Sequence, residues 1–514
     1  MNDELNALRR EIDGIDTELV TLLKRRMAAA AEIAALKGAN GLPVLDSERE
    51  RALLARIRKL AGEELSDGFG SIYSAILAAS RSYQNALLGR ENHEHEYNRG
   101  GKAMICGLLG GKLGHSYSPQ IHAELGDYKY RLFERAPEEL DAFFADRSWT
   151  GVNVTIPYKR AAMKYCDVIS ERALRIGCVN TVVRETDGLV HGYNTDYDGF
   201  LGLVNRAGYI PRGKKALILG SGGASRTAAA CAKKLGAREV VVISRSGENN
   251  YTNLGRHADA ERIVNTTPVG MYPNNGAAAV DLTAFPACAG VLDLIYNPRR
   301  TALLLQAETL GIPCSDGLPM LVAQAKAAEE HFFDRLIADC ENERILAQLR
   351  REMTNLVLIG MPGSGKSAVG AALAALTGRE AIDIDARIAE KAGCSIPEIF
   401  AKGGEAAFRA LEREVTAACG ALSGKLLLTG GGVVKTPENY AALHQNGRIY
   451  QLLRPLEMLP TDGRPLSQGV DLAAMWAERA PLYERFRDAA IDNSGTVEQT
   501  AQAIWRDFCE NSGH

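Results

Sequence analysis

The spacing of apolar residues divides the chain into three parts. Residues 3–88 place apolar side chains at helical intervals and contain a single proline, Pro43, which predicts an all-helical region. From Met104 onwards, short apolar runs alternate with helical stretches and glycine-containing turns, and this alternation predicts a parallel α/β architecture. A charged helical stretch at 334–353 leads to an apolar strand that begins at Asn355 and opens a second α/β region.

These changes of pattern predict a multidomain protein with two linkers. A polar segment, poor in apolar residues and containing two adjacent glycines, is typical of a tether. The predicted parts are an all-α domain at 1–89, a linker at 90–103, a two-lobed α/β domain at 104–335, a helical linker at 336–353 and a second α/β domain at 354–514. In the two-lobed domain, one lobe takes 104–202 with 319–335, and a nucleotide-binding Rossmann lobe takes 203–318.

Composition limits the possible functions without changing this division. The 514 residues carry a formal net charge of -3, so bulk attraction to nucleic acid or to an anionic membrane is not expected. No apolar run reaches the roughly 18 residues of a membrane span, and the polar N-terminus has no features of a signal peptide. Ten cysteines without a CxxC pair fit the reduced thiols of a cytosol. We therefore expect a cytoplasmic protein without a nucleic-acid or membrane partner.

Polar residues gather on single faces of the otherwise apolar predicted helices of the first domain. A helix over residues 3–37 would be about 50 Å long, longer than the rest of the domain can cover, so a partner chain is expected. Arg26 and Lys37 fall on nearly the same face of this helix, whereas Arg9 lies roughly 100° away. The other gathered residues are Asp46, Arg49 and Glu50 at i, i+3 and i+4, and Ser80 and Gln84 at i and i+4. Such faces favour a ligand pocket.

This set of residues resembles the all-helical chorismate mutase family over nearly all of 3–88. The resemblance implies an intertwined homodimer in which one arginine reaches across, and the rearrangement of chorismate to prephenate. That pericyclic reaction needs a fixed conformation and donors for the charge that grows on the ether oxygen. Lys37 and Gln84 would be the catalytic residues at that oxygen. The substrate-binding residues would be Arg9, Arg26, Asp46, Arg49, Glu50 and Ser80, whose three arginines would hold the two carboxylates.

The stretch KALILGSGGASRTAAA contains a strand, a glycine turn and a helix, as a dinucleotide pyrophosphate requires. The turn residues are Gly220, Gly222, Gly223 and Ala224. The next strand ends in Ser244 and Arg245, about 20 residues further on, where NAD-binding proteins place an acidic residue. Because an arginine there favours the 2′-phosphate of NADP, these residues predict an NADP-dependent oxidoreductase of unknown substrate.

Six ordered motifs within residues 104–333 resemble shikimate dehydrogenase. They are HSYS (115–118), NVTIPYK (153–159), GCVNT (177–181), NTD (194–196), NTTPVGM (265–271) and MLVAQA (320–325). The resemblance implies NADPH-dependent reduction of 3-dehydroshikimate. Lys159 and Asp196 would be the catalytic pair that supplies the proton to the ketone oxygen. It assigns substrate binding to Ser116, Ser118, Thr155, Asn180 and Gln324, and it adds Met271 to the cofactor site.

Two features depart from the pattern of that family. Only 18 residues, Gly247 to Val264, separate the strand end at Ser246 from the NTTPVGM motif, so a helix or strand of the nucleotide lobe is expected to be shortened. The motif NTDYDG (194–199) also differs before its glycine, and quinate stays open as an additional substrate.

GMPGSGKS, at 360–367, lies between a predicted strand and a predicted helix, so it satisfies the P-loop pattern in the right context. Backbone amides of the loop at Gly363, Ser364 and Gly365 would cradle phosphates. Lys366 would reach the β- and γ-phosphates, and Ser367 would coordinate Mg²⁺. The motif predicts nucleotide binding and leaves the acceptor open.

The acceptor follows from a resemblance to shikimate kinase across residues 354 to about 508, carried by DID (383–385), GEAAFR (404–409), GGG (430–432) and RAPLY (479–483). The resemblance implies ATP-dependent phosphorylation of shikimate, in which Asp385 holds the hydroxyl and assists its deprotonation while Asp383 sits at the metal. It assigns Arg409, Arg479, Gly431 and Gly432 to shikimate, and Arg464, in a shortened lid, to the phosphates. A small-sugar or nucleotide kinase on the same core is the alternative.

Together these motifs predict a trifunctional enzyme of aromatic-amino-acid biosynthesis that uses NADP, ATP and Mg²⁺. The alternative is a bifunctional dehydrogenase–kinase whose helical N-terminal domain only dimerises or regulates. Both interpretations predict a dimer, so turnover of chorismate is the property that separates them.

Overall fold

The computed structural model describes residues 2–39, 44, 47–88, 98–99, 102–114, 116–146, 148–185, 188–459 and 471–511. The predicted site residues Asp46 and Arg464 lie outside these ranges, as does most of the predicted kinase lid. The chain forms two compact units. One comprises Met1–Thr195 with Ala325–Glu343, and the other comprises Asp196–Gln324 with Arg344–His514.

Two long helices open the first unit and pack against each other. α1 (Asn2–Ala39) is continuous, as the periodic run predicts. α2 (Ser47–Leu87) is interrupted at Gly62 by a left-handed φ of 74°, which glycine adopts without steric strain. The predicted second and third helices are the two halves of α2. Small residues of α1 and larger ones of α2 are buried in this part, namely Ala30, Ala34, Leu54, Ile57 and Leu77.

The rest of the first unit contains a mixed six-stranded sheet, in the order β4-β3-β5-β7-β8-β6, and a separate antiparallel two-stranded sheet of β1 and β2. In the six-stranded sheet, β7 runs antiparallel to β5 and β8, and the other pairs are parallel. The elements are β1 (Asn98–Arg99), β2 (Lys102–Ala103), β3 (Ile105–Gly110), α3 (Ser118–Leu125), β4 (Lys129–Glu134), α4 (Leu140–Ala145), β5 (Gly151–Val154), β6 (Val168–Ile169), α5 (Glu171–Ile176), β7 (Thr181–Arg184) and β8 (Val190–Tyr193). Its core includes the buried Leu109, Trp149, Val152 and Val182.

The second unit begins with a parallel five-stranded sheet in the order β10-β9-β11-β12-β13. The elements are α6 (Asp196–Arg206), β9 (Lys215–Leu219), α7 (Gly223–Lys234), β10 (Glu239–Ile243), β11 (Arg262–Asn265), β12 (Val291–Asp293), α8 (Ala302–Thr309), β13 (Cys314–Ser315) and α9 (Leu318–Phe333). All residues from β10 to β11 are described, and they contain turns and one 3₁₀ helix (Leu254–His257) but no α-helix. The expected shortening of this lobe is therefore a missing crossover helix.

A second parallel five-stranded sheet, in the order β15-β16-β14-β17-β18, completes this unit. The elements are α10 (Cys340–Met353), β14 (Asn355–Ile359), α11 (Lys366–Thr377), β15 (Ala381–Asp383), α12 (Ile384–Ala392), α13 (Ile396–Gly420), β16 (Leu426–Leu428), α14 (Glu438–His444), β17 (Gly447–Leu453), α15 (Leu472–Phe486), β18 (Ala489–Asp492) and α16 (Val497–Asn511). The predicted α/β classes of both regions are confirmed. Within the described ranges, no helix has the length and apolarity that a membrane crossing demands.

Polar contacts join the two sheets of the second unit at the end of α14. Arg300 donates its backbone N–H to Gln445 O at 2.9 Å and Nη1 to His444 O at 3.2 Å. Asn446 Oδ1 accepts the Arg299 N–H at 2.9 Å. These residues are about 145 positions apart, so no local sequence pattern announces the contact.

Candidate active sites

In the helical part, two of the predicted mutase residues have buried polar atoms without partners. Gln84 is 8% exposed and donates Nε2 to Ser80 Oγ at 3.3 Å. Its Oε1 accepts no hydrogen bond from the described residues, and Arg26 Nη1 is buried and unpaired in the same sense. Because unsatisfied buried polar atoms are costly, these two atoms fit a pocket whose ligand supplies their partners.

The other predicted mutase residues differ in their surroundings. Lys37 Nζ donates to the backbone oxygen of Val44 at 2.6 Å. Glu50 is buried and forms an ion pair with Arg81, with 2.5 Å between Oε2 and Nη1. The exposed members of the set are Arg9 and Arg49. The sequence motifs do not include Arg81, because its pairing with a residue 31 positions away leaves no local signal.

Hydrogen bonds connect the dehydrogenase motifs of the first unit, and Asn180 makes two of them. Its Nδ2 donates to Thr195 Oγ1 at 3.1 Å, and its Oδ1 accepts the Thr195 N–H at 2.7 Å. Lys159 belongs to the loop after β5, and its backbone oxygen accepts the Val179 N–H at 2.9 Å. Thr155, at the start of the same loop, is half-buried. The NVTIPYK and GCVNT motifs are thus tied together by backbone hydrogen bonds, although they are about 20 residues apart.

Helix α3 is anchored by a buried polar network that the motifs did not indicate. Ser118 starts this helix, and its N–H donates to Ser116 Oγ at 3.2 Å. One turn further on, His122 Nδ1 contacts the Tyr128 hydroxyl, which donates to Glu329 Oε2 at 2.9 Å. Burial lowers the pKa of His122 below its ordinary value. The network fixes α3 against α9 and thereby holds the two serines in place.

The two other predicted site residues of the dehydrogenase, Asp196 and Gln324, lie in the second unit. Asp196 begins α6 and is buried. Gln324, on α9, is also buried and donates Nε2 to Leu321 O at 2.9 Å. A Cβ on Gly199 would lie 2.6 Å from Met320 O. Glycine at this position of NTDYDG therefore lets α6 and α9 approach closely.

The nucleotide lobe has a glycine turn shaped for close approach. Gly220 has a φ of +114°, and a Cβ there would lie 2.6 Å from Thr266 Oγ1. Gly222 precedes α7 and faces open space. Arg245 is exposed just after β10, and Met271 is 46% exposed. The other predicted cofactor residues are Gly223, Ala224 and Ser244. Since β9 and β10 are parallel neighbours, the glycine turn and Arg245 share one sheet edge, which fits the pyrophosphate and the 2′-phosphate of NADP.

The kinase region contains a cavity of about 650 Å³. It brings together predicted residues from five separate motifs, and Phe400, Phe408 and Met475 supply apolar walls. The predicted residues in its lining are Gly363, Gly365, Lys366, Ser367, Asp383, Asp385, Arg409, Gly431, Gly432 and Arg479. Ser364 is buried beside them.

One end of the cavity is the P-loop. Gly365 caps α11 with a φ of 95°, a left-handed value that favours glycine. Lys366 Nζ donates to two carbonyls of its own loop, Gly360 O at 2.8 Å and Met361 O at 3.0 Å. The loop therefore holds the lysine next to the α11 N-terminus, where backbone N–H groups and the helix dipole attract phosphate.

The other end of the cavity is cationic. Arg409 Nη1 contacts Glu412 Oε2 at 2.8 Å and Gly432 O at 3.0 Å. Arg479 Nη1 donates to Gly431 O at 3.1 Å. Burial raises the pKa of the Glu412 carboxyl, although Arg409 opposes that effect. None of the sequence motifs includes Glu412. Its position three residues after Arg409, on the same helical face, nevertheless indicates an ion pair between the two side chains.

Asp385 lies in the cavity beneath the glycine triplet. Its Oδ1 is buried without a hydrogen-bond partner among the described residues. Burial, and then the charge of Asp383, raise the pKa of this carboxyl. A Cβ on Gly430 would lie 2.5 Å from Asp385 Oδ1, and one on Gly432 would lie 2.6 Å from Arg409 Nη2. The triplet is glycine because side chains would collide with both functional groups.

The donor set for a cation consists of Ser367 and Asp383, which both line the cavity. One Asp383 oxygen is engaged, since Oδ1 accepts the Ala386 N–H at 3.1 Å and caps α12. In the described ranges, no cluster of three or more His, Cys, Asp or Glu forms a metal cage. A hydroxyl and one carboxylate fit Mg²⁺, which takes its remaining ligands from phosphates and water.

Three family models match the chain in sequence order. Chorismate mutase type II matches residues 8–85. The shikimate dehydrogenase substrate-binding domain matches residues 108–182. Shikimate kinase matches residues 362–508.

Solved structures with sequence similarity include a chorismate mutase/shikimate 5-dehydrogenase fusion protein from Clostridium acetobutylicum. It is 37% identical, with a TM-score of 0.46, and the match covers 48% of this chain and 97% of that one. A shikimate 5-dehydrogenase from Thermus thermophilus, in complex with NADP(H) and shikimate, is 31% identical. Its TM-score is 0.44, and the match covers 47% of this chain and 98% of that one.

Curated relatives give the family of the central region. A shikimate dehydrogenase (NADP(+)) of Clostridium perfringens strain SM101 is 36% identical over 267 residues, which cover 48% of this chain and 98% of the relative. Another, from Geobacter sp. strain M21, is 40% identical over 260 residues, covering 44% of this chain and 89% of the relative. The chain therefore belongs to the shikimate dehydrogenase family, with a chorismate mutase type II region before that domain and a shikimate kinase region after it.

Proposed function

We propose that the chain is a trifunctional cytoplasmic enzyme that rearranges chorismate to prephenate, reduces 3-dehydroshikimate with NADPH and phosphorylates shikimate with ATP. The observation that supports the proposal is the kinase cavity, whose lining contains the P-loop residues together with Arg409 and Arg479, the arginines proposed to bind shikimate. The domain boundaries proposed are those of the sequence analysis: 1–89, 104–335 and 354–514.

In the kinase site, Arg409 and Arg479 bind the shikimate carboxylate with their guanidinium groups. Asp385 accepts the proton of the attacking hydroxyl, and its unpaired Oδ1 is the atom available for that proton. Lys366 and the P-loop amides hold the nucleotide phosphates, while Ser367 and Asp383 hold Mg²⁺, which neutralises phosphate charge when bound. Gly431 and Gly432 let the backbone approach the substrate.

A substitution of Arg409 tests the acceptor. Arg409→Ala should raise the KM for shikimate about tenfold to a hundredfold, since one charged hydrogen-bonding partner of the carboxylate is lost. The KM for ATP should change little. Arg413→Ala is the matched control, because Arg413 lies one turn further along α13 and its side chain is 56% exposed. Equal changes in both KM values would refute shikimate as the acceptor.

In the dehydrogenase site, Lys159 and Asp196 together supply the proton that the ketone oxygen gains when NADPH supplies hydride to the carbon. The hydroxyls and amides of Ser116, Ser118, Thr155, Asn180 and Gln324 bind the ring. Lys159→Met should lower kcat about 10²- to 10⁴-fold with a smaller effect on NADPH binding. Rates with shikimate and quinate, measured on the unaltered chain, test the expected preference for shikimate. Equal rates would refute that preference.

In the mutase site, Lys37 and Gln84 contact the ether oxygen, and the cations at Arg9, Arg26 and Arg49 bind the carboxylates. Lys37→Ala should remove about 3 kcal/mol or more of transition-state stabilisation, measured as prephenate formation from chorismate by the purified full chain. If the unaltered chain shows no such turnover while the other two activities persist, the N-terminal domain is a dimerisation or regulatory module. The unpaired Gln84 Oε1 and Arg26 Nη1 favour a functional ligand site.

We further propose that the chain is a homodimer through its N-terminal helices. Five of the exposed apolar residues of α1 lie on one face of the helix and are 48–58% exposed in the single chain. They are Leu8, Ile12, Ile15, Leu19 and Leu22, at alternating spacings of four and three residues. That spacing forms one continuous stripe of the kind that pairs helices. A second copy of the same stripe is the occupant that the mutase resemblance implies.

A further inference from the structure

A cation outside all of the recognised motifs faces the P-loop. Arg454 directly follows β17, and β17 pairs in parallel with β14, the strand that leads into the P-loop. Ile359 lies opposite Gln451 in that pairing. The residues after the two strands therefore leave the same sheet edge side by side, and Arg454 lines the kinase cavity together with Lys366.

The Arg454 guanidinium is placed at the start of α11. Its Nη1 lies 3.8 Å from the position that a Cβ on Gly365 would occupy. Gly365 is itself held by its neighbours, because Asn493 Nδ2 donates to Ser364 O at 2.6 Å. The Arg454 guanidinium therefore lies near the backbone N–H groups of the P-loop at the start of α11. It approaches them from the side of the cavity where β17 ends.

Arg454 has capacity left for a ligand. Among the described residues, its buried Nε has no hydrogen-bond partner and no carboxylate forms an ion pair with the guanidinium. Arg409 and Arg479 are the other arginines in the cavity lining, and they bond to the carbonyls of Gly432 and Gly431 at the opposite end. A buried guanidinium atom without a partner is costly, so the site is completed by an anion.

We propose that Arg454 binds the β- and γ-phosphates of the nucleotide, as a second cation beside Lys366. This inference rests on the proposed nucleotide-binding role of the P-loop. A guanidinium presents a planar fork that matches two phosphate oxygens, whereas a lysine acts as a point charge. Lys366 already shares its donors with Gly360 O and Met361 O.

In the same position, Arg454 also assists the phosphoryl-transfer step. The bond between the γ-phosphorus and the β–γ bridging oxygen breaks, and the shikimate hydroxyl oxygen bonds to that phosphorus. The hydroxyl proton passes to Asp385, and the electron pair of the broken bond stays on the β-phosphate of ADP. A fixed cation next to the β-phosphate stabilises the charge that gathers there. Arg454 should therefore distinguish diphosphates and triphosphates from monophosphates.

Equilibrium binding to the full chain tests this assignment independently of catalysis. Fluorescent ADP and AMP derivatives are titrated into the unaltered chain and into Arg454→Met, Arg454→Lys and Arg485→Met. Arg485 is an exposed arginine of α15 and serves as the control. We expect Arg454→Met to weaken ADP binding about tenfold to a hundredfold, as the loss of a charged hydrogen bond does. AMP binding should change less than about threefold, and Arg454→Lys should recover part of the ADP affinity.

Kinase kinetics complete the test. Arg454→Met should lower kcat/KM for ATP and leave the KM for shikimate within about twofold of the unaltered value. The proposal is overturned if Arg454→Met binds ADP as tightly as Arg485→Met does. It is also overturned if Arg454→Met loses affinity for AMP and ADP equally, as a damaged fold would cause. If the unaltered chain does not phosphorylate shikimate, the acceptor assignment fails. The ADP-to-AMP comparison still decides the role of Arg454 in that case.

Discussion

Arg81 is the charge partner of Glu50, and the pair links the two halves of α2 across the interruption at Gly62. Glu50 is 9% exposed, so without a cation its carboxylate would be an uncompensated buried charge. Arg81 directly follows Ser80, whose hydroxyl accepts the hydrogen bond from Gln84. The ion pair therefore sits within the group of residues proposed to bind chorismate.

Removing Arg81 should weaken the mutase. Arg81→Met leaves Glu50 buried and unpaired, so its ionised form and its orientation are both disfavoured. We expect kcat/KM for chorismate to fall about tenfold or more, while the dehydrogenase and kinase rates stay unchanged. Arg25→Met, an exposed residue of α1, is the control. Unchanged mutase activity in Arg81→Met would show that the pair plays no part in the mutase site.

His444 should make the contact between the two sheets of the second unit dependent on pH. Its ring is buried, with Nε2 3.5 Å from Glu308 and Nδ1 3.5 Å from Asp488. Burial alone would lower the pKa of His444, and Arg300 acts in the same direction, but the two carboxylates outweigh both and raise it. A raised folded-state pKa adds stability that is complete below the unfolded pKa of about 6.5 and is lost as pH rises through the folded value.

Thermal unfolding of the full chain and of His444→Gln measures this effect. The unaltered chain should exceed His444→Gln in stability by about 1–3 kcal/mol near pH 6, and the gap should shrink towards pH 9. His257→Gln controls for loss of a buried imidazole, since His257 pairs with the neutral Asn249 side chain. A gap that widens with rising pH would contradict the assignment.

Local chemistry made much of the architecture predictable. The P-loop and the Rossmann turn are each a strand, glycines and a helix in one continuous stretch, and they occur at β14–α11 and β9–α7. The short segment after Ser246 likewise predicted a shortened helix or strand of the nucleotide lobe, because eighteen residues leave little room for a helix beside its turns. Periodicity alone predicted a helix over residues 3–37, which lies within α1 (Asn2–Ala39).

Contacts between distant positions were not predictable in the same way. Arg454 belongs to no motif, and its importance appears only when β17 is placed beside β14. The pairing of Arg300 with Gln445 and of Arg81 with Glu50 depends on how helices pack, which no spacing within one segment encodes. The roles proposed for the site residues, including those at Asp46 and Arg464, remain predictions.

Arg245 should set the cofactor preference of the dehydrogenase. It is exposed just after β10, at the same sheet edge as the glycine turn. Its guanidinium is available to a 2′-phosphate, which NADPH has and NADH lacks. Arg245→Met should lower kcat/KM for NADPH about tenfold to a hundredfold and change that for NADH much less. Arg256→Met, another exposed arginine of the same lobe, should leave both values unaltered, and an equal loss with both cofactors would count against the assignment.

The apolar stripe of α1 should control mutase activity through dimerisation. Leu19→Asp places a charge in the middle of the stripe, and burying that charge against a second copy would cost several kcal/mol. We expect light scattering to show a monomer, and mutase turnover to fall at least about a hundredfold because the proposed site needs an arginine from the partner chain. The dehydrogenase and kinase should remain active. Thr17→Asp adds the same charge away from the stripe and should stay dimeric, whereas a fully active monomeric Leu19→Asp would refute a shared mutase site.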